Sequence, residues 1–159
     1  AGAIRHVTRF AVVTGLAAEA KLIEKAHLRA KRAAPMLACA GANAERARAH
    51  AVRLVAEGAE LVFSFGVCGG LDPALRPGAL IVPERIARAT GEPLLTTAPL
   101  RAALAERLRA AGLAVQGGIL YGSDSPVATA DGKRTLFERT GDSMITASIA
   151  AARRTRNSR

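Results

Sequence analysis

The chain has 159 residues, half of them hydrophobic, and its 23 Lys+Arg against 13 Asp+Glu leave a formal net charge of +10. That apolar share, with only 15 Gly and 7 Pro, excludes a disordered, collagen-like or low-complexity chain and fits one domain with a buried core. Aromatic residues are few (Phe10, Phe63, Phe65, Phe137 and Tyr121), so the core has to be assembled from many contacts between small aliphatic side chains.

Residues 10–14 form a short apolar, β-branched run that ends at Gly15 and predict a buried strand. A helix follows over residues 17–32, where Leu22, Ile23, Ala26 and Leu28 keep helical spacing among charges, until Pro35 stops it. Residues 36–40 predict a second strand closed by Gly41, and Asn43 is placed to cap a helix over residues 44–56 that Gly58 ends. Residues 61–67 are apolar almost throughout, the pattern of a central strand buried on both faces. Asp72, Pro73, Pro77 and Gly78 supply turn chemistry before a strand at residues 79–83. Residues 100–111 predict an amphipathic helix, with Leu100, Ala103, Leu104, Leu108 and Ala111 on one face, ended by Gly112. A strand over residues 113–121 contains a glycine pair, and Asp131 opens a last helix reaching Arg139. Strands alternating with helices predict an α/β fold of three α/β/α layers around a mostly parallel or mixed sheet.

Charge is unevenly spread. Between residues 133 and 159 seven basic side chains stand against two acidic ones, which is half of the surplus. The rest follows helical patterns such as Lys21, Lys25, Arg29, Lys31 and Arg32, as a solvated helix face does. With so few aromatic stacking residues, nucleic acid is an unfavoured partner despite the basic total. Cys39 and Cys68 lie in apolar sequence without CxxC spacing, and His6, His27 and His50 are dispersed. Neither a disulfide framework nor a metal centre is expected, and the thiols suit a reducing, cytoplasmic setting. No uncharged apolar run approaches the roughly 20 residues of a membrane span, and the first residues lack the order of a signal peptide.

In open α/β sheets ligands bind beyond the carboxyl ends of the strands. Three segments fall there: Thr14-Gly15-Leu16, the run from Gly66 through Val67, Cys68 and Gly69 to Gly70, and Gly122-Ser123-Asp124-Ser125. Clustered glycines let a ligand approach the backbone and offer it free N–H donors, although a tight turn needs the same residues. Cys68 reads either as a nucleophile or as a small residue buried in that turn, and Asp124 either as a substrate-orienting group or as an Asx-turn. GxGxxG is absent, and Gly132-Lys133 lacks the glycine spacing and following hydroxyl of a P-loop.

Residues 64–83, SFGVCGGLDPALRPGALIVP, resemble the glycine-rich strand-turn segment of the nucleoside phosphorylase and nucleosidase family, most closely its hopanoid-associated phosphorylase branch. VVTGLAAEA at residues 12–20 and GSDSPVATADGK at residues 122–133 resemble that branch too, in the same order. The resemblance implies a domain over residues 1–141 that cleaves an N-glycosidic bond and passes the sugar to phosphate or water, followed by a divergent basic segment over residues 142–159. It implies a purine nucleoside or an adenosyl lipid such as adenosylhopane as substrate, phosphate as an optional co-substrate with no other cofactor, contact with a membrane surface only through the lipid, and a homo-oligomer. Carried onto this chain, Gly66, Val67, Cys68 and Gly69 line the ribose and phosphate, and Gly15 stands on the nucleophile side. Asp124, Ser125, Pro126 and Val127 lie beside the base, and Glu19 and Asp124 are the acids available for catalysis.

The departures from the family pattern carry equal weight. The hydroxyl residue that phosphate-binding relatives place after the glycine matching Gly66 is here Val67, and the acidic position of nucleosidase relatives matches Ala20, with Glu19 beside it. Where the family has Met-Glu-Ser, residues 143–148 read SMITAS, without a glutamate in either register. The family's general-acid aspartate is expected further on, on a later strand, and the sequence stops first in an arginine-rich run. The expectation is therefore a shortened member with weak or absent cleavage, and the rival reading from another class is a non-catalytic nucleoside-binding or interaction protein.

Overall fold

The computed structural model describes residues 9–88, 90–123, 127, 129–141 and 144–147. They fall into two compact units, one ending at Val67 and the other running from Cys68 to Ala147.

In the first unit, β1 (Phe10–Thr14), α1 (Ala17–Ala30), β2 (Met36–Cys39), α2 (Ala44–Ala56) and β3 (Leu61–Phe65) alternate along the chain. The strands form a parallel sheet in the order β2-β1-β3, with Val12 opposite both Leu37 and Phe63. Ala11, Val12, Val13 and Thr14 are all buried, so β1 is the strand covered on both faces. This corrects the expectation that residues 61–67 are central. The β3 residues are half-buried or exposed, and β3 has β1 as its hydrogen-bonded neighbour in this sheet. Apolar length alone does not separate a central strand from an outer one. The strand also stops at Phe65, which leaves Gly66 and Val67 to the loop beyond its carboxyl end.

α2 covers the sheet with Ala47, Ala51 and Leu54, positions four and three apart that share one helix face. Its first turn is capped as expected, Asn43 Oδ1 accepting from the Arg46 amide at 2.8 Å. The core joins Ala11, Val13, Ala38, Ala40, Ala47, Leu54 and Ala59, with Met36 and Val62 at its margin; alanines allow helix and sheet to approach closely, while each contributes little apolar area. α1 departs from its pattern, because Leu22 and Leu28 are exposed and Glu19 is its one buried residue. It ends before Pro35, at Lys31, whose φ of 51° forms a left-handed cap donating to the His27 and Leu28 carbonyls.

The second unit contains β4 (Gly69–Gly70), β5 (Leu80–Ile81), β6 (Arg85–Arg88), β7 (Leu94–Leu95), α3 (Ala98–Ala110), β8 (Val115–Gln116), β9 (Ile119–Ser123), α4 (Ala130–Thr140) and β10 (Met144–Ala147). One sheet runs β4-β10-β9-β6-β7, with β9 parallel to both β6 and β10 and antiparallel strands at its two edges. β5 and β8 form a separate parallel pair. The single strand expected over residues 113–121 is therefore two, broken at Gly117-Gly118, where Gly118 takes a φ of 131° open to glycine. The strand expected at residues 79–83 shrinks to Leu80–Ile81. Leu71, Tyr121 and Leu136 form the core of this unit, with Ala87, Val127 and Phe137 packed against it. α4 starts where Thr129 Oγ1 accepts from the Gly132 amide and ends at Gly141 in a left-handed conformation.

Most strand pairs are parallel and helices connect them, so the fold class is α/β, as the alternation predicts. Among the described residues no helix is long and apolar enough to cross a membrane.

Candidate functional site

The first unit brings four of the expected residues together at the carboxyl end of its sheet: Gly15, Glu19, Gly66 and Val67. Because β1 and β3 are parallel neighbours in register from Phe10–Leu61 to Thr14–Phe65, the loops that follow them emerge side by side. Glu19 lies on the first turn of α1 and reaches back into both. Its Oε2 accepts from the amides of Gly15 at 3.0 Å and Leu16 at 2.8 Å, and its Oε1 accepts from the amide of Val67 at 2.8 Å.

The local sequence explains this placement. Leu16 is the helix N-cap and has no side-chain acceptor, so the glutamate three residues on supplies half of a capping box by accepting from the Leu16 amide. Glu19 is only 4% exposed, and among the described residues no Lys or Arg forms an ion pair with it. Among the described residues its partners are backbone amides, and both of its oxygens accept from them.

Gly66 is needed for this contact. A Cβ there would stand 2.9 Å from Glu19 Oε1 and 3.1 Å from both Cδ and Oε2, so a larger residue would displace the carboxylate. Gly66 itself is exposed, an open stretch of backbone above a buried charge. The loop after β2 joins the same edge, since the Ala42 amide and the Cys39 thiol both donate to the Gly15 carbonyl, at 2.8 and 3.7 Å. Ala42 adopts a φ of 53°, a strained conformation for a residue with a Cβ. The side chains flanking the edge are apolar: Leu16 is 50% and Val67 76% exposed.

The other expected residues belong to the second unit. Cys68 and Gly69 open it, Gly69 lying in β4 opposite Ile145. Cys68 is half-buried, and burial pushes its thiol pKa up, the opposite of an activated nucleophile. Val127 packs against the Leu71, Tyr121 and Leu136 core. Asp124, Ser125 and Pro126 lie outside the described residues. Among the described residues no cluster of His, Cys, Asp and Glu could hold a metal ion.

One feature of the second unit is not announced by any sequence motif. A cleft of about 400 Å³ is lined by Glu84, Arg85, Leu95, Thr96, Arg101 and Ile119. Thr96 Oγ1 organises its wall, lying 2.7 and 2.9 Å from the carbonyls of Pro83 and Glu84 and accepting from Arg101 at 3.1 Å. Its residues lie in or directly beside β6, β7, α3 and β9, so only the pairing of these short strands reveals it. The anchoring of Glu19 was legible in principle, since a glutamate three residues after the residue preceding a predicted helix is a capping signal.

Parallel strands with glycine-bearing loops at their carboxyl ends define an α/β protein of the ligand-binding kind. The chain belongs to the phosphorylase superfamily, whose family model matches residues 9–152. The same architecture appears in futalosine hydrolase of Helicobacter pylori, with a TM-score of 0.79 and 14% identity over 91% of this chain and 76% of that one. The 5′-methylthioadenosine/S-adenosylhomocysteine nucleosidase of Helicobacter pylori gives a TM-score of 0.80 at 14% identity, over 92% of this chain and 77% of that one. Purine nucleoside phosphorylase from Toxoplasma gondii gives 0.69 at 16% identity, over 87% and 67%. No curated protein matches the chain by sequence. At these identities the structural likeness is one of fold, and it agrees with the family resemblance read from residues 12–20, 64–83 and 122–133.

Proposed function

We propose that the chain binds a purine nucleoside and acts on its N-glycosidic bond, with an adenosyl lipid as the finer substrate class. The observation that carries this reading is the superfamily match along residues 9–152. The named activities of the structural neighbours, a futalosine hydrolase, a nucleosidase and a purine nucleoside phosphorylase, point the same way. The exposed backbone at Gly66 suits a sugar that must approach closely. Exposed Leu16 and Val67 beside it favour a substrate with an apolar substituent, which supports the lipid.

Glu19 serves in this reading as a positioning residue: with both oxygens on backbone amides, it shapes the loops that the substrate meets. The stretch Met144–Ala147 contains no carboxylate to grip ribose hydroxyls, so turnover should be slow, below about 1 s⁻¹, the low end of the ordinary enzyme range. That feature favours the second reading, a nucleoside-binding protein without catalysis.

The test is chromatographic release of adenine from adenosine, 5′-methylthioadenosine and an adenosyl lipid in vesicles, paired with calorimetric binding of each. Slow release with the lipid preferred is expected. Binding without release assigns the chain to the second reading, and neither binding nor release of all three overturns both.

A further inference from the structure

We propose that the cleft at the amino ends of β6 and β9 binds a small aliphatic carboxylate, its head on Arg85 and Arg101 and its chain along Leu95 and Ile119. The site belongs to the second unit alone and does not rest on the nucleoside reading.

Sheet register builds the cleft. Arg85 on β6 stands opposite both Ile119 on β9 and Leu95 on β7, and residues directly opposite one another in a sheet share a face. A guanidinium is thereby set between two apolar side chains, at the amino ends of the two parallel strands. Two positions further along that face, Ala87 and Tyr121 pack into the core with Leu136. The row of Ile119, Arg85 and Leu95 lies where this packing ends, with Arg85 exposed and Leu95 80% exposed. The cleft over it, about 400 Å³, is on the scale of a small-molecule site.

α3 brings a second cation to the wall, the half-buried Arg101. Its Nη1 donates to Thr96 Oγ1 at 3.1 Å, and that hydroxyl is itself anchored 2.7 and 2.9 Å from the carbonyls of Pro83 and Glu84. The guanidinium is thus held from one side. Among the described residues its Nε–Nη2 edge makes no hydrogen bond, and neither Arg85 nor Arg101 forms an ion pair. Such an edge presents two parallel N–H donors, the match of a planar carboxylate. Glu84 is the acid of the lining. Its Oε1 lies 3.5 Å from the Gly117 Cβ position and pairs with neither arginine, so the cleft keeps an uncompensated positive charge. A carboxylate head answers that charge, and an aliphatic chain covers Leu95 and Ile119, which a bare inorganic anion would leave in water.

The experiment titrates hexanoate, butyrate, 1-hexanol and inorganic phosphate into the full chain by calorimetry at physiological salt. The hexanoate titration is repeated on Arg85→Gln and Arg101→Gln, each checked for folding by circular dichroism. Hexanoate should bind at one site with a Kd of about 1 mM or tighter, and about tenfold tighter than butyrate because two more methylenes are buried. Each variant should lose about tenfold in hexanoate affinity, the usual loss for a hydrogen bond to a charged group. A hexanoate Kd weaker than about 1 mM, hexanol or phosphate bound as tightly as hexanoate, or unchanged affinity in either folded variant overturns the proposal. If Arg101→Gln does not fold, Arg85→Gln decides, since the Arg85 side chain is exposed and in no ion pair among the described residues. Nucleoside cleavage plays no part in the readout, so failure of the nucleoside reading stays distinct from failure of this one.

Discussion

Glu19 accepts a hydrogen bond from the amide of Val67 at 2.8 Å, joining residues 48 positions apart, while its other oxygen holds the amides of Gly15 and Leu16. One buried side chain thus fixes the loops after β1 and β3 relative to each other. Glu19→Ala should cost about 3 kcal/mol, because the Gly15 amide is left buried without a partner and two further charge-assisted bonds are lost. Glu19→Gln keeps an acceptor on one side and should cost about 1–2 kcal/mol. Urea denaturation measures both; an alanine variant as stable as wild type would show that the clamp is dispensable.

Gly66→Ala should destabilise by about 1–3 kcal/mol, since the new Cβ meets a carboxylate pinned by three hydrogen bonds. The effect acts through one neighbour, so it should shrink when Glu19→Ala removes that neighbour. A double-mutant cycle reads this as a coupling of about 1 kcal/mol or more. Strict additivity would place the strain elsewhere.

Asn43→Ala removes the acceptor for the Arg46 amide and should cost about 1 kcal/mol, the usual value for an N-cap. The loss should appear as a lower midpoint in urea at unchanged slope. A changed slope would mean that the loop after β2 had reorganised as well.

Burial raises the Cys68 thiol above its ordinary value, so the thiolate is scarcer in the folded protein than in an unfolded chain at the same pH. The corresponding stability is fully present below the unfolded thiol's pKa and is lost as pH rises through the folded one. Alkylation by iodoacetamide at pH 8, followed by mass spectrometry, should be slower at Cys68 than in a peptide of the same local sequence. A rate equal to the peptide's would contradict the shift.

The elements that sequence made legible are those with strong local signals. The apolar run of β1, the Asn43 cap and Gly58 stop of α2, and the start of α4 beside Asp131 all carry their own turn or capping chemistry. β4, β6 and β7 are two to four residues long and exist only through their partners, so no periodicity announces them. The centrality of β1 over β3 was hidden for a related reason: both runs are apolar, and the order of strands is a long-range property. At the site, the glycine loops were visible as composition. The fate of Glu19 was not, because its commitment to Val67 depends on two parallel strands lying side by side.

That parallel order also bears on how the chain is made. In the first unit β1 sits between partners that are both synthesised after it, and the Phe10–Leu61 pairing spans 51 positions. No hairpin can close either pair. At a ribosomal rate of about 5–20 residues per second, β1 waits about 3–10 s after emerging before β3 is available to cover its second edge. During that interval FAVVT is an apolar, β-prone segment with open backbone donors and acceptors, a template on which a neighbouring copy can pair.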